Sequence, residues 1–246
     1  MIVAIHQPLF APWSGYFHKM LLADLFIVLD HVAYTHHNRI NRNEIRLADG
    51  RRSWLTVPVR THGREGEPIL AVEIAERENP RWREKHLRTL RQHYGAAPHF
   101  PRLAPEIEAI YSEPHARLVN LDLALLACMR SALGISTTVV RSSEIGGSGD
   151  KSRLLLDLCR KVGGSVYLAG MGGSRTYLEE EVFAAAGVRV AYQEFAHPVY
   201  RQGTLPFEPN LSALDLLFHL GAGAGELLRA AAPQASGAPV AVVHHA

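Results

Sequence analysis

The sequence predicts an α/β fold, a mainly parallel sheet flanked by helices, with a β-hairpin and a helical insertion at about residues 80–134. Three observations carry this. Residues 2–30 read as strand, polar loop, helix and strand. From residue 135 to residue 195 strand and helix alternate twice, and two such units within about sixty residues argue for parallel, right-handed crossovers rather than a sandwich. Between these stretches lie two short runs rich in β-branched and aromatic residues, then a long helical tract.

The elements follow in order. An apolar run at residues 2–5 breaks at His6-Gln7-Pro8, passes Pro12-Trp13-Ser14-Gly15-Tyr16, and a second apolar run ends at Asp30. RRSWLTVPV and ILAVEI read as strands joined by a polar turn around residues 62–68. Asn79-Pro80 opens a helix in which Trp82, His86 or Leu87, Leu90 and Tyr94 share one face and Gly95 stands at the C-cap. Residues 105–111 and 115–133 supply two further helices, the second with a broad apolar stripe ending at Gly134. ISTTVVR, SVYLAG and VRVAYQEF then alternate as strands with helices at residues 151–162 and 176–186. Ser212 opens a last helix, with Asp215 at its N3 position as in a capping box. One domain over residues 1–229 is expected, with an Ala-, Pro- and Gly-rich tail at 230–246 that is poorly ordered.

The 246 residues are 47% hydrophobic and 20% charged, enough for a full core without staples. Cys128 and Cys159 lie in apolar helical stretches and read as small buried hydrophobes, not as a disulfide framework or a zinc site. Among fourteen histidines no HExxH occurs, and His36-His37 would point oppositely on a strand, so no metal is expected. Met1 leads into a strand with no basic segment before it, and no apolar stretch approaches the roughly 18–20 residues that span a bilayer. A cytoplasmic protein without a membrane partner is the expectation.

Ligands of open α/β sheets sit outside the carboxyl ends of strands, where this chain places His6, Gln7 and Asp30. His197, Tyr200 and Gln202 follow the last strand and reach a similar edge. The net charge of +2 hides a basic segment, residues 39–64, with seven arginines against few acids, and guanidinium forks suit a carboxylate or phosphate. The positive charge is nearly all arginine and is not interleaved with aromatics, which speaks against general nucleic-acid binding. Two glycine-rich turns miss their motifs. In Gly146-Gly147-Ser148-Gly149-Asp150-Lys151 the aspartate splits the Gly-Lys pair of a phosphate loop and replaces the last glycine of a Gly-x-Ser-x-Gly elbow. In Gly170-Met171-Gly172-Gly173-Ser174-Arg175 an arginine takes the third glycine of a dinucleotide fingerprint. Lys151, Gly170 and Gly172 remain candidates for anion contact.

On AIHQPLFAPWSGYFHKMLLADLFIVLD, NRNEI followed by WLTVPV, YLAGMGGSRTYLEEEVF, and AYQEFAHPVYRQ followed by PFEPNLSALDLLFHLG, the chain resembles the WbqC-like family of bacterial surface-polysaccharide (O-antigen) gene clusters. The resemblance runs from about residue 3 to residue 221. It implies glycyl or other aminoacyl transfer onto an amino sugar. Ala33 stands where the family usually has glutamine and Arg39 where an aromatic is usual, which widens the acceptor to small metabolites, as in natural-product tailoring. More distantly, the opening unit is similar to HIGH-type nucleotidyltransferases, with Trp13 and Tyr16 in place of their two histidines.

These readings converge on a transferase that forms an amide from an aminoacyl or acyl donor and an amine. His6 is the expected base, oriented by Asp30, with His197 as the alternative. Arg42, between Asn41 and Asn43, would hold an anionic group, while Gln7, Trp13, Tyr16, Tyr200 and Gln202 would contact substrate. ATP or an aminoacyl-tRNA would be the donor. An ATP-dependent ligase on a HIGH-like fold and a non-catalytic sugar-nucleotide-binding protein are the rivals.

Overall fold

In the computed structural model, which describes residues 1–36, 38–60, 62–170 and 178–231, β1 (Ile2–His6) occupies the centre of a five-stranded parallel sheet. Helix α1 (Ser14–Leu21) returns the chain to β2 (Leu25–Val28), which pairs with β1 from Val3↔Leu25 to His6↔Val28. β7 (Thr138–Arg141) adds outside β2. The chain then recrosses to β8 (Val166–Ala169) on the other side of β1, and β9 (Arg189–Tyr192) completes the order β7-β2-β1-β8-β9. Connections leave β1 and reach β8 from opposite faces, so the crevice beyond their carboxyl ends is the topological switch point.

The period-2 alternation of β1 divides the core. Val3 and Ile5 pack with Ile27, Tyr167 and the apolar stripe of α6 (Lys151–Lys161), together with Phe183 of α7 (Glu180–Ala185). Ala4 faces the other way and packs with Phe26, Val28 and, from α1, Phe17 and Met20. On that second face lie α2 (Trp82–Tyr94), α3 (Phe100–Ser112) and α4 (Leu118–Ala132), followed late in the chain by α8 (Ala213–Leu220) and α9 (Gly223–Ala231). Trp82, His86, Leu90 and Tyr94 form the buried face of α2. A short α5 (Ser142–Ile145) bridges β7 to α6.

The hairpin differs from the expected pairing. RRSWL does form a strand, β4 (Arg52–Thr56), but its partner is β3 (Arg42–Arg46), inside the basic segment, joined through Asp49 and Gly50. Gly50 takes φ +89, a backbone that side chains rarely adopt, which is why a glycine closes this turn. β3 is polar at four of its five positions and looks like a loop in sequence; its buried side chains, Asn43, Ile45 and Arg46, find partners only in the folded molecule. ILAVEI supplies a 3-10 turn (Ile69–Ala71) and only the two-residue β6 (Glu73–Ile74), which pairs with β5 (Val59–Arg60).

The expected capping box at α8 is also revised. Ser212 caps the helix by accepting from the Leu214 amide at 3.2 Å, but its own amide donates to Glu44 and Asp215 turns into the core. Residues 223–231 are helical, and the rest of the expected tail, 232–246, lies outside the described residues.

Candidate functional site at the carboxyl edge of β1

The loop from β1 to α1 is held in an unusual backbone. Ala11 is buried with φ +40, a conformation that costs a non-glycine residue about 1–2 kcal/mol. Asn43 of β3 maintains it: its amide donates to the Ala11 carbonyl at 2.7 Å and the Phe10 carbonyl at 3.2 Å. Its carbonyl oxygen in turn accepts from the Arg39 guanidinium. Trp13 then lays its indole over Gly15, where a Cβ would come within 2.2 Å of the ring, and meets Phe195 edge-on at 5.5 Å. Strain fixed by surrounding contacts and placed at a switch point is the pattern of a functional loop.

His6 ends β1 half-buried at this edge. Its Nδ1 lies 2.9 Å from the Gln7 carbonyl, and since a carbonyl only accepts, Nδ1 carries the proton and Nε2 keeps the basic lone pair. Burial, aided by the nearby Lys19 ammonium, lowers its pKa to about 4, so the ring is neutral at pH 7. Lys19, behind it on α1, donates to the Ile5 carbonyl at 3.0 Å and is itself brought down by burial to about 7. The Tyr16 ring stands 4.9 Å from the imidazole.

Beside them is an unfinished pair. The hydroxyl of Tyr16 and both carboxyl oxygens of Asp122, on α4, are buried and make no hydrogen bond. Burial holds the Asp122 carboxyl well above the usual range, so it is protonated and can donate. Burial and then the proximity of Asp122 likewise raise Tyr16. Tyr34 is raised to about 12, by burial first and then by Asp122, with the Arg42 charge opposing. Arg42 lies over the Trp54 ring at 4.4 Å. Buried polar groups in folded proteins are almost always paired, so two neighbouring donors without acceptors call for a missing partner.

The WbqC-like protein family matches residues 7–226, a span that includes nearly all of this edge. The chain belongs to the WbqC-like protein family. It is 36% identical over 229 residues to the uncharacterized protein Rv1507c of Mycobacterium tuberculosis strain H37Rv, covering 92% of this chain and 97% of that one. No solved structure matches it. Among the described residues no helix of this WbqC-like chain is long and apolar enough to cross a membrane, and no group of three or more His, Cys, Asp or Glu could hold a metal ion.

The family's matched segments contribute unequally to the edge. His6, Gln7, Trp13 and Tyr16 gather there, with the Gln7 side-chain oxygen Oε1 accepting from Asn38 at 3.4 Å, while Arg42 reaches Tyr34 and the Trp54 ring. Asp30 does not orient His6. Its oxygens take hydrogen bonds from Arg141 Nε (2.6 Å), Ser142 Oγ (3.0 Å) and the Ser143 amide and hydroxyl (3.0 and 2.9 Å), clamping the end of β2 to α5. Burial opposes its charge, but these bonds and the Arg141 charge bring its pKa below the ordinary value. Asn41 donates to the Val57 carbonyl at 2.9 Å, so it and Asn43 hold backbone rather than flank an anion.

His197, Tyr200 and Gln202 also depart from the expected convergence. His197 donates from Nδ1 to the Pro198 carbonyl at 3.1 Å and is lowered by burial among Phe195, Tyr200 and Phe207. Tyr200 and Gln202 point to Asp215, at 2.7 and 2.9 Å. Lys151 is exposed at the start of α6, next to a turn whose Ser148 amide and hydroxyl already serve Asp157 at 2.9 and 3.1 Å. Gly170 follows β8 at the same edge as His6, and Gly172 lies outside the described residues. Lys19 and Asp122 escaped sequence reasoning because each sits within an apolar helix stripe. An ionisable residue on an otherwise apolar face was the available signal.

Proposed function

We propose that this protein is a transferase that forms an amide from an activated aminoacyl or acyl donor, glycyl among them, and an amine on an amino sugar or small metabolite. Assembly of a surface polysaccharide and tailoring of a natural product both use such a step. One observation carries the reading: two buried donors without acceptors meet at the switch point, Tyr16 Oη, whose ring stands against a neutral imidazole, and the protonated Asp122 carboxyl, close enough to act on Tyr16. A tyrosine and an un-ionised carboxylic acid in an apolar site are a known way to receive a developing oxyanion. Attack of a neutral amine on the donor carbonyl places negative charge on that oxygen, where such donors act, and acidifies the nitrogen that has just formed a bond. A weak base suffices to remove that proton. His6 Nε2, the lone-pair nitrogen, would take it and pass it to the leaving group, and Arg42 would hold an anionic part of donor or acceptor.

The test uses the full chain with radiolabelled glycine, ATP and tRNA, omitting each in turn, and a nucleotide-linked amino sugar as acceptor. Labelled amide from preformed glycyl-tRNA without ATP is the expected result. His6→Asn should lower the rate by about 100- to 10,000-fold. Asp122→Leu should lower it by about 100- to 1,000-fold through loss of an oxyanion donor. Saturable binding with no turnover on any donor would overturn the reading in favour of a binding protein.

A second reading has its own support. The order β7-β2-β1-β8-β9, with Trp13-Ser14-Gly15-Tyr16 at the helix start beyond β1, suits a nucleotide at the switch point and hence an ATP-dependent ligase or nucleotidyltransferase. Strict dependence on ATP with release of pyrophosphate would select it.

A further inference from the structure

Away from His6, on the far side of the hairpin, lies a cavity of about 620 Å³ between the end of β3, the end of α2, the 201–205 segment and α8. Its wall is an organised polar network. The single carboxylate lining it, Asp215, is fully buried and already accepts from Tyr94 (2.8 Å), Tyr200 (2.7 Å) and Gln202 (2.9 Å). His219 joins it from one turn on, at 3.5 Å to the carboxylate. The acceptor capacity of the wall is thus largely used.

Its donor capacity is not. Arg46 is 7% exposed, and both of its side-chain hydrogen bonds leave from Nη1, to the Gln202 carbonyl and amide oxygens at 3.2 Å. Nε is buried without a partner. Nη2 makes no hydrogen bond among the described residues and lies beside the Gly50 turn, at contact distance (3.7 Å) from where a Cβ there would stand. The Nε and Nη2 edge of a guanidinium is the one that grips a carboxylate or phosphate with two parallel bonds. Arg201 adds a second positive charge at the rim, and Leu205 and Leu220 provide apolar wall beside it.

We infer that this cavity is a second ligand site, which takes a small molecule carrying a carboxylate or phosphate side-on at Arg46, with an apolar body against Leu205 and Leu220. The site is built from residues other than those proposed for amide formation, and it stands whether or not His6 is catalytic.

The test is calorimetric titration and amide NMR of the full chain with phenyl phosphate, benzoate and, as a neutral control, benzyl alcohol. Saturable binding of at least one anion, with shifts at Arg46, Gln202 and Leu205 and none for the alcohol, is the expected result; the tighter anion identifies the group. Arg46→Gln should weaken binding at least tenfold. Leu205→Asp places a repelling charge at a surface-exposed rim position and should do the same without touching the buried network; it decides alone if Arg46→Gln does not fold. His6→Asn should leave affinity unchanged. Absence of saturable binding, equal binding of the alcohol, or affinity indifferent to both variants would overturn the proposal.

Discussion

Two buried carboxyl groups on this molecule have opposite surroundings. Asp30, at the end of β2, receives hydrogen bonds from Arg141, Ser142 and Ser143 on both oxygens and is held ionised. Asp122, on α4, receives none and is held protonated. Burial penalises charge at both sites, and the presence or absence of donors decides which form survives. The difference separates structural from functional chemistry: a carboxylate whose lone pairs are all engaged joins segments, whereas an acid left with a proton and no acceptor has bonding capacity for something that arrives later.

The largest expected effects lie on this contrast. Asp30→Ala removes one partner of a buried ion pair and strands Arg141 and two serines, so unfolding in urea should show a loss of about 3–5 kcal/mol. Asp122→Asn removes an acid that no protein group stabilises, and the same measurement should give a change within about 1 kcal/mol in either direction. Comparable losses in the two variants would mean that Asp122 is as structural as Asp30, and its proposed role toward an oxyanion would fall with that result.

The contrast also shows what could be read from residues alone. The central strands were legible because short apolar runs such as VVR and VYLA alternate with amphipathic helices, and the carboxyl edge of β1 was legible because His6-Gln7-Pro8 interrupts such a run. The partners of polar groups were not. Asp30 meets Arg141 across 111 positions and Asp215 meets Tyr94 across 121, pairings that exist only once the crossovers have closed. A locally plausible role therefore displaced the real one in both cases, as an orienting acid for Asp30 and as a cap for Asp215. β3 failed for a related reason: Asn43 and Arg46 are polar in sequence and buried in the fold, each satisfied by segments remote in the chain.

Acid titration sharpens the contrast, because it sorts buried groups by the sign of their shift. Asp30 has a lowered pKa, so its contribution persists until the pH falls through a value below the ordinary carboxylate range. Histidines lose ground earlier. His86 is buried; its Nε2 donates to the Thr56 carbonyl and its Nδ1 accepts from the Tyr111 hydroxyl, both at 3.1 Å, so it has no room for a second proton. Burial, assisted by the Lys85 charge, lowers its pKa to about 4 against a hydrogen bond that raises it. The unfolded chain takes up that proton near pH 6.5 and the folded chain does not, so stability is whole above about 6.5 and declines as pH falls toward 4. In His86→Gln the decline across that window should be smaller by about 2 kcal/mol, read from urea midpoints at several pH values. His6, also lowered to about 4 by burial and the Lys19 charge, acts in the same direction. An unchanged slope would show that the histidines do not govern this part of the acid response.

The smallest effect concerns the remaining corner of the carboxyl edge, the glycine turn before α6. Lys151 opens that helix with φ +45, strained for a residue with a Cβ, and its side chain is exposed. Lys151→Gly removes the strain at the first helical position, where glycine's flexibility is least damaging, and should stabilise the protein by about 0.5–1 kcal/mol in the same urea assay. The variant also deletes the cation at the helix start while leaving Lys161, which donates to the Gly146 carbonyl and pairs with Asp157 at 3.2 Å, so it separates two roles that coincide in Lys151. Because Asp157 already occupies the Ser148 amide and hydroxyl, the turn has an internal anion in the place where a phosphate loop would hold an external one. Nucleotide or phosphate affinity, measured by calorimetry on the variant, should therefore be unchanged while stability rises. A tenfold loss of affinity would instead place an anion at Lys151 and move the nucleotide reading from β1 to the start of α6.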